Sequence, residues 1–287
     1  MSMGRRFARA VMVVAGALVH IAAATRGQAQ KSGSSAPMAW AFSYTVTTTS
    51  DGRAVPGAGM VFDVRIWRGT AQVSVRTGPM RALTGDRGVM LVRAADSTLS
   101  VVNPQRREVL QAASGDLAAL MSPGQGGVRF EVSGVTSTTR VRGRGDALDR
   151  YATQRLELDQ RYTLQVAAGT MRRTLRNEQL ITLDVSWELD RLDPGFRAFA
   201  EQFARSLGEP AAVRAALRAK EGAMARGIPV RSTTVASTIS NTDTLRTETR
   251  AVMSSLRREA VDTMSFRVPA DYRVTDVNRL LRPRQTP

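Results

Sequence analysis

Alternation of apolar and polar residues, repeated in one segment after another, limits this fold more than any other feature. Ile181, Leu183, Val185, Trp187 and Leu189 are apolar, and Thr182, Asp184, Ser186 and Glu188 lie between them. Successive side chains of a strand point to opposite faces, so this segment predicts one dry face and one wet face. The same period runs through Met38, Trp40, Phe42, Tyr44 and Val46, through Met60, Phe62, Val64 and Ile66, and through Tyr162, Leu164 and Val166. Val230 to Ser240 and Leu245 to Leu256 read as a long hairpin around Asn241-Thr242-Asp243, and Met264, Phe266 and Val268 as a last short strand before a tail. The expected class is α+β: roughly ten to twelve strands in one large antiparallel sheet. A sheet of that size tends to curl, which leaves a concave side for helices.

Two helices are expected after that strand. In Asp193-Pro194 the carboxylate suits a helix's free N–H groups and proline suits the first helical position. Phe196, Phe199, Phe203 and Leu207 then form one stripe at about 100° per residue, with Arg197, Glu201, Gln202 and Arg205 opposite. In the second helix Val213, Ala216, Leu217 and Met224 make the apolar stripe and Lys220 falls inside it; Gly227 and Pro229 end the run. A shorter helix is expected at Ser114 to Met121. The phenylalanine stripe fits either a lid over an apolar cavity or plain packing of helix on sheet, and periodicity does not separate the two. Trp40, Phe42, Phe62 and Trp187 face the same interior under both readings. Phe196, Phe199, Phe203 and Met224 complete the candidate ligand-binding set. Lys220 is either an ammonium for an anionic headgroup or a snorkelling side chain with its stem packed and its head in water.

Residues 1–29 read as a cleaved signal peptide: Arg5, Arg6 and Arg9, then a small apolar stretch from Ala10 to Ala24. The one histidine, His20, lies in that stretch, and the chain has no cysteine. The remainder therefore lacks histidine and thiol chemistry and the usual zinc and copper ligands. Without Arg5, Arg6, Arg9 and Arg26, 37 basic residues stand against 25 acidic ones. That balance favours anionic envelope components as partners. No aromatic signature for RNA accompanies it, and export argues against nucleic acid. Asp184 and Glu188 lie about 13 Å apart along a strand, too far for a glycosidase pair at roughly 5–10 Å. Glu188, Asp190 and Asp193, Glu157 with Asp159, and Asp271 with Asp276 read as solvated faces and caps. The Arg144-Gly145-Asp146 triplet reads as an exposed basic turn. No catalytic residue, metal or cofactor is expected, and the chain is not read as an enzyme.

Trp187-Glu188-Leu189 entering a phenylalanine-lined helix, a second helix closed by Gly227-Ile228-Pro229-Val230, a hairpin, and Phe266-Arg267-Val268-Pro269-Ala270-Asp271-Tyr272 occur in that order. This order resembles the bacterial envelope family called domain of unknown function 4412, which is itself similar to the periplasmic lipoprotein-carrier (LolA-like) superfamily. Many members carry a lipid-anchor or paired cysteine, and this chain has none. The resemblance implies a half-open β-barrel with two lid helices on its concave side, over a cavity that holds acyl chains. The expected organisation is a flexible leader at 30–37, one domain at 38–281 and a disordered tail at 282–287. The expected protein is a soluble monomer of the periplasm or the exterior that does not span a membrane. It would bind a lipid or a lipoprotein acyl chain. The alternative is an envelope interaction or sensor module with a filled core and no small ligand.

Overall fold

The computed structural model describes residues 36–113, 128–168, 170–206, 211–218, 227–240 and 243–277. The signal peptide, the helix expected at Ser114 to Met121, Leu207, Lys220, Met224, the turn at Asn241-Thr242 and the tail lie outside the described residues, as does nearly all of the leader.

The alternating segments become strands β1 (Met38–Ser50), β2 (Arg53–Ala54), β3 (Met60–Trp67), β4 (Thr70–Thr77), β5 (Val89–Arg93), β6 (Thr98–Asn103), β7 (Glu108–Ala113), β8 (Val128–Arg144), β9 (Gln154–Ala168), β10 (Met171–Ser186), β11 (Ile228–Ile239), β12 (Thr244–Ala260) and β13 (Arg273–Asp276). The helices are α1 (Arg81–Thr84), α2 (Glu188–Leu192), α3 (Gly195–Ser206) and α4 (Ala211–Arg218). All described strands join one sheet in the order β13-β7-β6-β5-β4-β3-β1-β12-β11-β10-β9-β8, with β2 beside β1. β13 and β8 stand at opposite ends, so the sheet is open. Thirteen strands replace the ten to twelve expected, because β2 and β13 are too short to show a period in sequence. Every pairing is antiparallel except β13 on β7, which is parallel.

The two faces differ. On the helix face, Trp40, Phe42, Tyr44 and Val46 of β1 meet Phe62, Val64 and Ile66 of β3, and the row continues through Val73, Met90 and Val101. α3 lies on this cluster. α4 lies elsewhere on the same face, where Val213 and Leu217 pack with Tyr162 and Leu164 of β9 and with Phe130 and Val132 of β8. The expectation of a helical pair over one cavity is corrected here. Each helix buries its own stripe against a different apolar patch.

The opposite face is covered at the β4–β7 end by the C-terminal segment. A 3₁₀ turn at Thr263–Phe266 puts Phe266 against Trp67 at 5.7 Å between ring centroids. Gln72 donates to the Ser265 carbonyl at 2.8 Å. Val268 and Tyr272 join Leu91, Val102 and Val109 in one cluster. The F-x-V-P-x-x-Y segment is thus a strap that dries the far side of the sheet. The short strand expected at Met264 to Val268 is corrected to this turn and strap, and the strand of this region forms later, as β13.

Candidate functional site

The site begins where α3 is pinned to the sheet. One Asp193 carboxylate oxygen accepts from Gly195 N and from Gly69 N, both at 2.8 Å. The second bond ties the helix start to the β3–β4 turn. A Cβ on Gly195 would come within 2.6 Å of Ile66 Cγ2, so glycine permits this close approach. Asp190 accepts from Arg197 Nε at 2.8 Å, which holds α2 against α3.

From that anchor α3 lays its stripe onto β1 and β3. Phe196 stacks on Phe42, with centroids 5.8 Å apart and planes 12° from parallel. Phe199 meets Phe42 and Tyr44 edge-on, each at 5.4 Å, and Phe203 meets Tyr44 at 4.5 Å and Phe62 at 5.7 Å. Trp40 closes the end, 6.3 Å from Phe196 and 6.2 Å from Tyr151. Edge-to-face and offset pairs at such separations add to the gain from burial alone. Burial raises the Tyr44 phenol above its ordinary value, so it stays neutral. The expected residues Trp40, Phe42, Phe62, Phe196, Phe199 and Phe203 are therefore brought into one box. Trp187 is not. The strand ends at Ser186 and Trp187 opens α2, so the alternation stops and the ring stands 38% exposed.

The box is full. The free space among Phe62, Val73, Met80, Met90, Val92, Phe199, Gln202 and Phe203 is about 20 Å³. That is room for about one water molecule, whereas small-molecule pockets run to roughly 300–1,000 Å³. A larger cleft of about 320 Å³ lies beside the box, between one flank of α3 (Pro194, Arg197, Ala198 and Glu201) and the β5 end of the sheet (Val92, Arg93, Ala94 and Ser97).

Gln202, on the wet side of α3 by sequence pattern, is buried, 6% exposed, at the rim of the 20 Å³ space. Neither its amide nitrogen nor its carbonyl oxygen has a hydrogen-bond partner. A buried polar group without a partner keeps its full desolvation cost, about 1–3 kcal/mol. Replacing Gln202 by leucine is therefore expected to raise the urea midpoint by the equivalent of about 1–2 kcal/mol, with the slope of the transition unchanged. A lower midpoint would mean that the amide is satisfied in solution.

Farther along the helix face the lining turns polar but stays uncharged. Strand register places Ser50, Thr247, Ala236, Gln179, Gln160 and Ser137 in one row across β1, β12, β11, β10, β9 and β8. Thr48, Thr249 and Thr234 flank it on one side, in a row that continues into Ile181 and Leu158, and Thr238, Asn177 and Tyr162 on the other, in a row that begins at Leu245. Hydrogen bonds run within this band. Thr238 Oγ1 donates to Asn177 Oδ1 at 2.9 Å, Gln179 Nε2 donates to the Tyr162 hydroxyl at 3.1 Å, and the Thr48 and Thr249 hydroxyls lie 3.2 Å apart. The alternation that marked these strands also hid the band, since serine and threonine read equally well as a wet face.

Acidic residues sit in structural roles. Glu157 meets both Arg140 and Arg142, Asp271 meets Arg107, and Asp159 pairs with Arg161. Asp184, expected on a wet face, is 2% exposed. It accepts from Arg155 Nε and Nη2 at 2.7 and 2.8 Å and from Asp146 N at 3.3 Å. Burial pushes the Asp184 carboxyl up, but the bonds from Arg155 and the Asp146 backbone outweigh it and hold the group below the usual carboxylate range. The Arg144-Gly145-Asp146 triplet belongs to this network, with Asp146 paired to Arg231 and Arg155. A Cβ on Gly145 would stand 2.5 Å from Asp184 Oδ1 and 2.7 Å from Thr153 Oγ1. Gly145→Ala is expected to lower thermal stability by about 1–3 kcal/mol through this overlap, and an unchanged melting temperature would contradict the packing described.

Among the described residues no helix is long and apolar enough to cross a membrane, and no group of three or more acidic side chains is placed to hold a metal ion. No protein family matches the chain, and no curated protein matches it. Two solved structures are similar in outline. One is PNGF-II, at 9% identity and a TM-score of 0.32, covering 82% of this chain and 31% of that one. The other is a LolA superfamily protein from Nitrosomonas europaea, at 7% identity and a TM-score of 0.28, covering 80% of this chain and 90% of that one. The chain thus spans 31% of the length of PNGF-II.

Proposed function

We propose that this chain is an exported, non-catalytic binding protein of the bacterial envelope. It takes an amphipathic ligand, of the lipid or lipoprotein acyl class, on the helix face of its sheet, and α3 is the part that moves. The observation that carries this reading is Gln202. A helix that only closes a core gains from an apolar residue at that position, whereas an unpaired amide weakens the hold of the roof. A full box suits the ligand-free state. At roughly 24 cal/mol per Å³, an empty pocket of about 300 Å³ would cost about 7 kcal/mol, comparable to the whole stability of an ordinary domain. The phenylalanine rings of α3 therefore occupy the space themselves. An incoming chain displaces them and gains about 0.8 kcal/mol for each CH₂ it buries.

The filled box also favours a second reading, an envelope interaction module with no small ligand, whose partner meets a sheet edge or α3. Mass spectrometry of the protein purified without detergent, followed by titration with the fluorescent fatty acid cis-parinaric acid, separates the two. Co-purified lipid or saturable probe binding supports the carrier. Lipid-free protein that takes up no probe decides for the interaction module.

A further inference from the structure

The band carries no charge, in contrast to the opposite face of the same strands. The same strands carry Arg246, Glu248 and Arg250 of β12, Arg176 and Glu178 of β10, and Glu157, Asp159 and Arg161 of β9. All of these alternate with band residues and so point to the opposite face. In a chain with 41 basic and 25 acidic residues, a row across six strands without one charge is a strong segregation. Inside the band, Asn177 is 8% exposed; its carbonyl is used by Thr238 and its amide nitrogen has no partner. A donor is left over on a face of hydroxyls and amides.

We propose that this band seats an uncharged carbohydrate group, such as the sugar head of an amphipathic ligand whose tail lies under α3. The inference rests on the reading of the helix face as the binding face. Three alternatives fit less well. An acyl chain laid here would cover the band's hydroxyls and the Asn177 amide without giving them a partner, and would meet only Ala236 and the flanking Ile181, Leu158 and Leu245. An ionic headgroup would meet no opposite charge. A peptide strand adds to a sheet edge, here β8, and would lie beside the band and not across it, because the other five strands are paired on both sides. A sugar presents hydroxyls that both donate and accept, which is what Thr234, Thr238 and the spare Asn177 amide can answer.

The test uses the full chain and three probes: decyl maltoside and decyl sulfate, each below its micelle concentration, and cis-parinaric acid. Decyl maltoside is expected to bind roughly tenfold tighter than decyl sulfate. Asn177→Leu and the near-isosteric Thr234→Val are each expected to weaken decyl maltoside several-fold and to leave cis-parinaric acid unchanged, with melting curves confirming that both variants fold. If cis-parinaric acid binds but decyl maltoside is no tighter than decyl sulfate, or ignores both substitutions, the sugar seat is wrong and the binding face stands. If no probe binds the unaltered protein, both readings fall.

Discussion

Replacing Phe196 with alanine is expected to lower the unfolding free energy by about 3–5 kcal/mol, the cost of removing a large buried aromatic and leaving a gap. Phe196 is fully buried and sits between Phe42 and Trp40, so both neighbours lose ring contacts when it is truncated. The gap cannot close easily. Gly195 already touches β3, and the Asp193 bond to Gly69 fixes where the helix begins. For a chain of this size the loss corresponds to a fall in melting temperature of about 10 °C. Leu180, which is 45% exposed on the other face of β10, serves as the contrast, and its change to alanine is expected to stay within about 0.5 kcal/mol. Thermal and urea unfolding of the two variants side by side is the measurement. A Phe196→Ala loss below about 1 kcal/mol would mean that α3 is not seated on β1 as described.

Arg155→Ala is the second large effect. It removes both side-chain bonds from Asp184 and leaves a buried carboxylate without its counter-ion. Breaking a buried pair in this way costs about 3–5 kcal/mol. The lower end applies, because the Arg155 side chain is 36% exposed and water reaches its site. The pH dependence carries the sign. In the unaltered protein the Asp184 carboxyl is held below its ordinary value. Its contribution is then complete above the unfolded carboxylate range near pH 4 and is lost as the pH falls through the folded value. In Arg155→Ala burial dominates, the folded carboxyl rises above its unfolded value, and the folded state takes up the proton first. Acidification from pH 7 toward pH 5 should therefore act differently on the two proteins: it is expected to leave the unaltered protein unchanged and to restore part of the variant's stability. Urea unfolding of both proteins at several pH values checks this. A variant that loses stability on mild acidification would contradict the network.

Period alone was enough to find the long strands and the stripe of α3, because a run such as Trp40, Phe42, Tyr44 and Val46 has one apolar face in any setting. Period could not find what tertiary cover does to a polar face. Asp184 alternates as a wet residue should, yet the chain around Gly145 and Thr153 folds over it and supplies its partners. Gln202 falls on the flank of the phenylalanine stripe on a helical wheel, about 60° from Phe199, and α3 sinks deep enough to bury that flank as well. Trp187 leaves the box for a local reason: the alternation runs on to Leu189, but the strand stops at Ser186 and gives way to α2. The strap was half visible. Phe266, Val268 and Tyr272 show that something is buried there, but their spacing does not say that Leu91, Val102 and Val109 lie opposite them. The neutral band needed the register of six strands before its lack of charge became visible.

The claim on which the account turns is that α3 is a roof that opens on its own. Hydrogen exchange of the Gly195–Ser206 amides, measured against those of Met38–Ser50, addresses it most directly. The α3 amides should exchange through a local opening of lower free energy than the β1 amides, and Gln202→Leu should slow α3 selectively. Amides of α3 and β1 that exchange together, at one common free energy that Gln202→Leu moves equally for both, would contradict it.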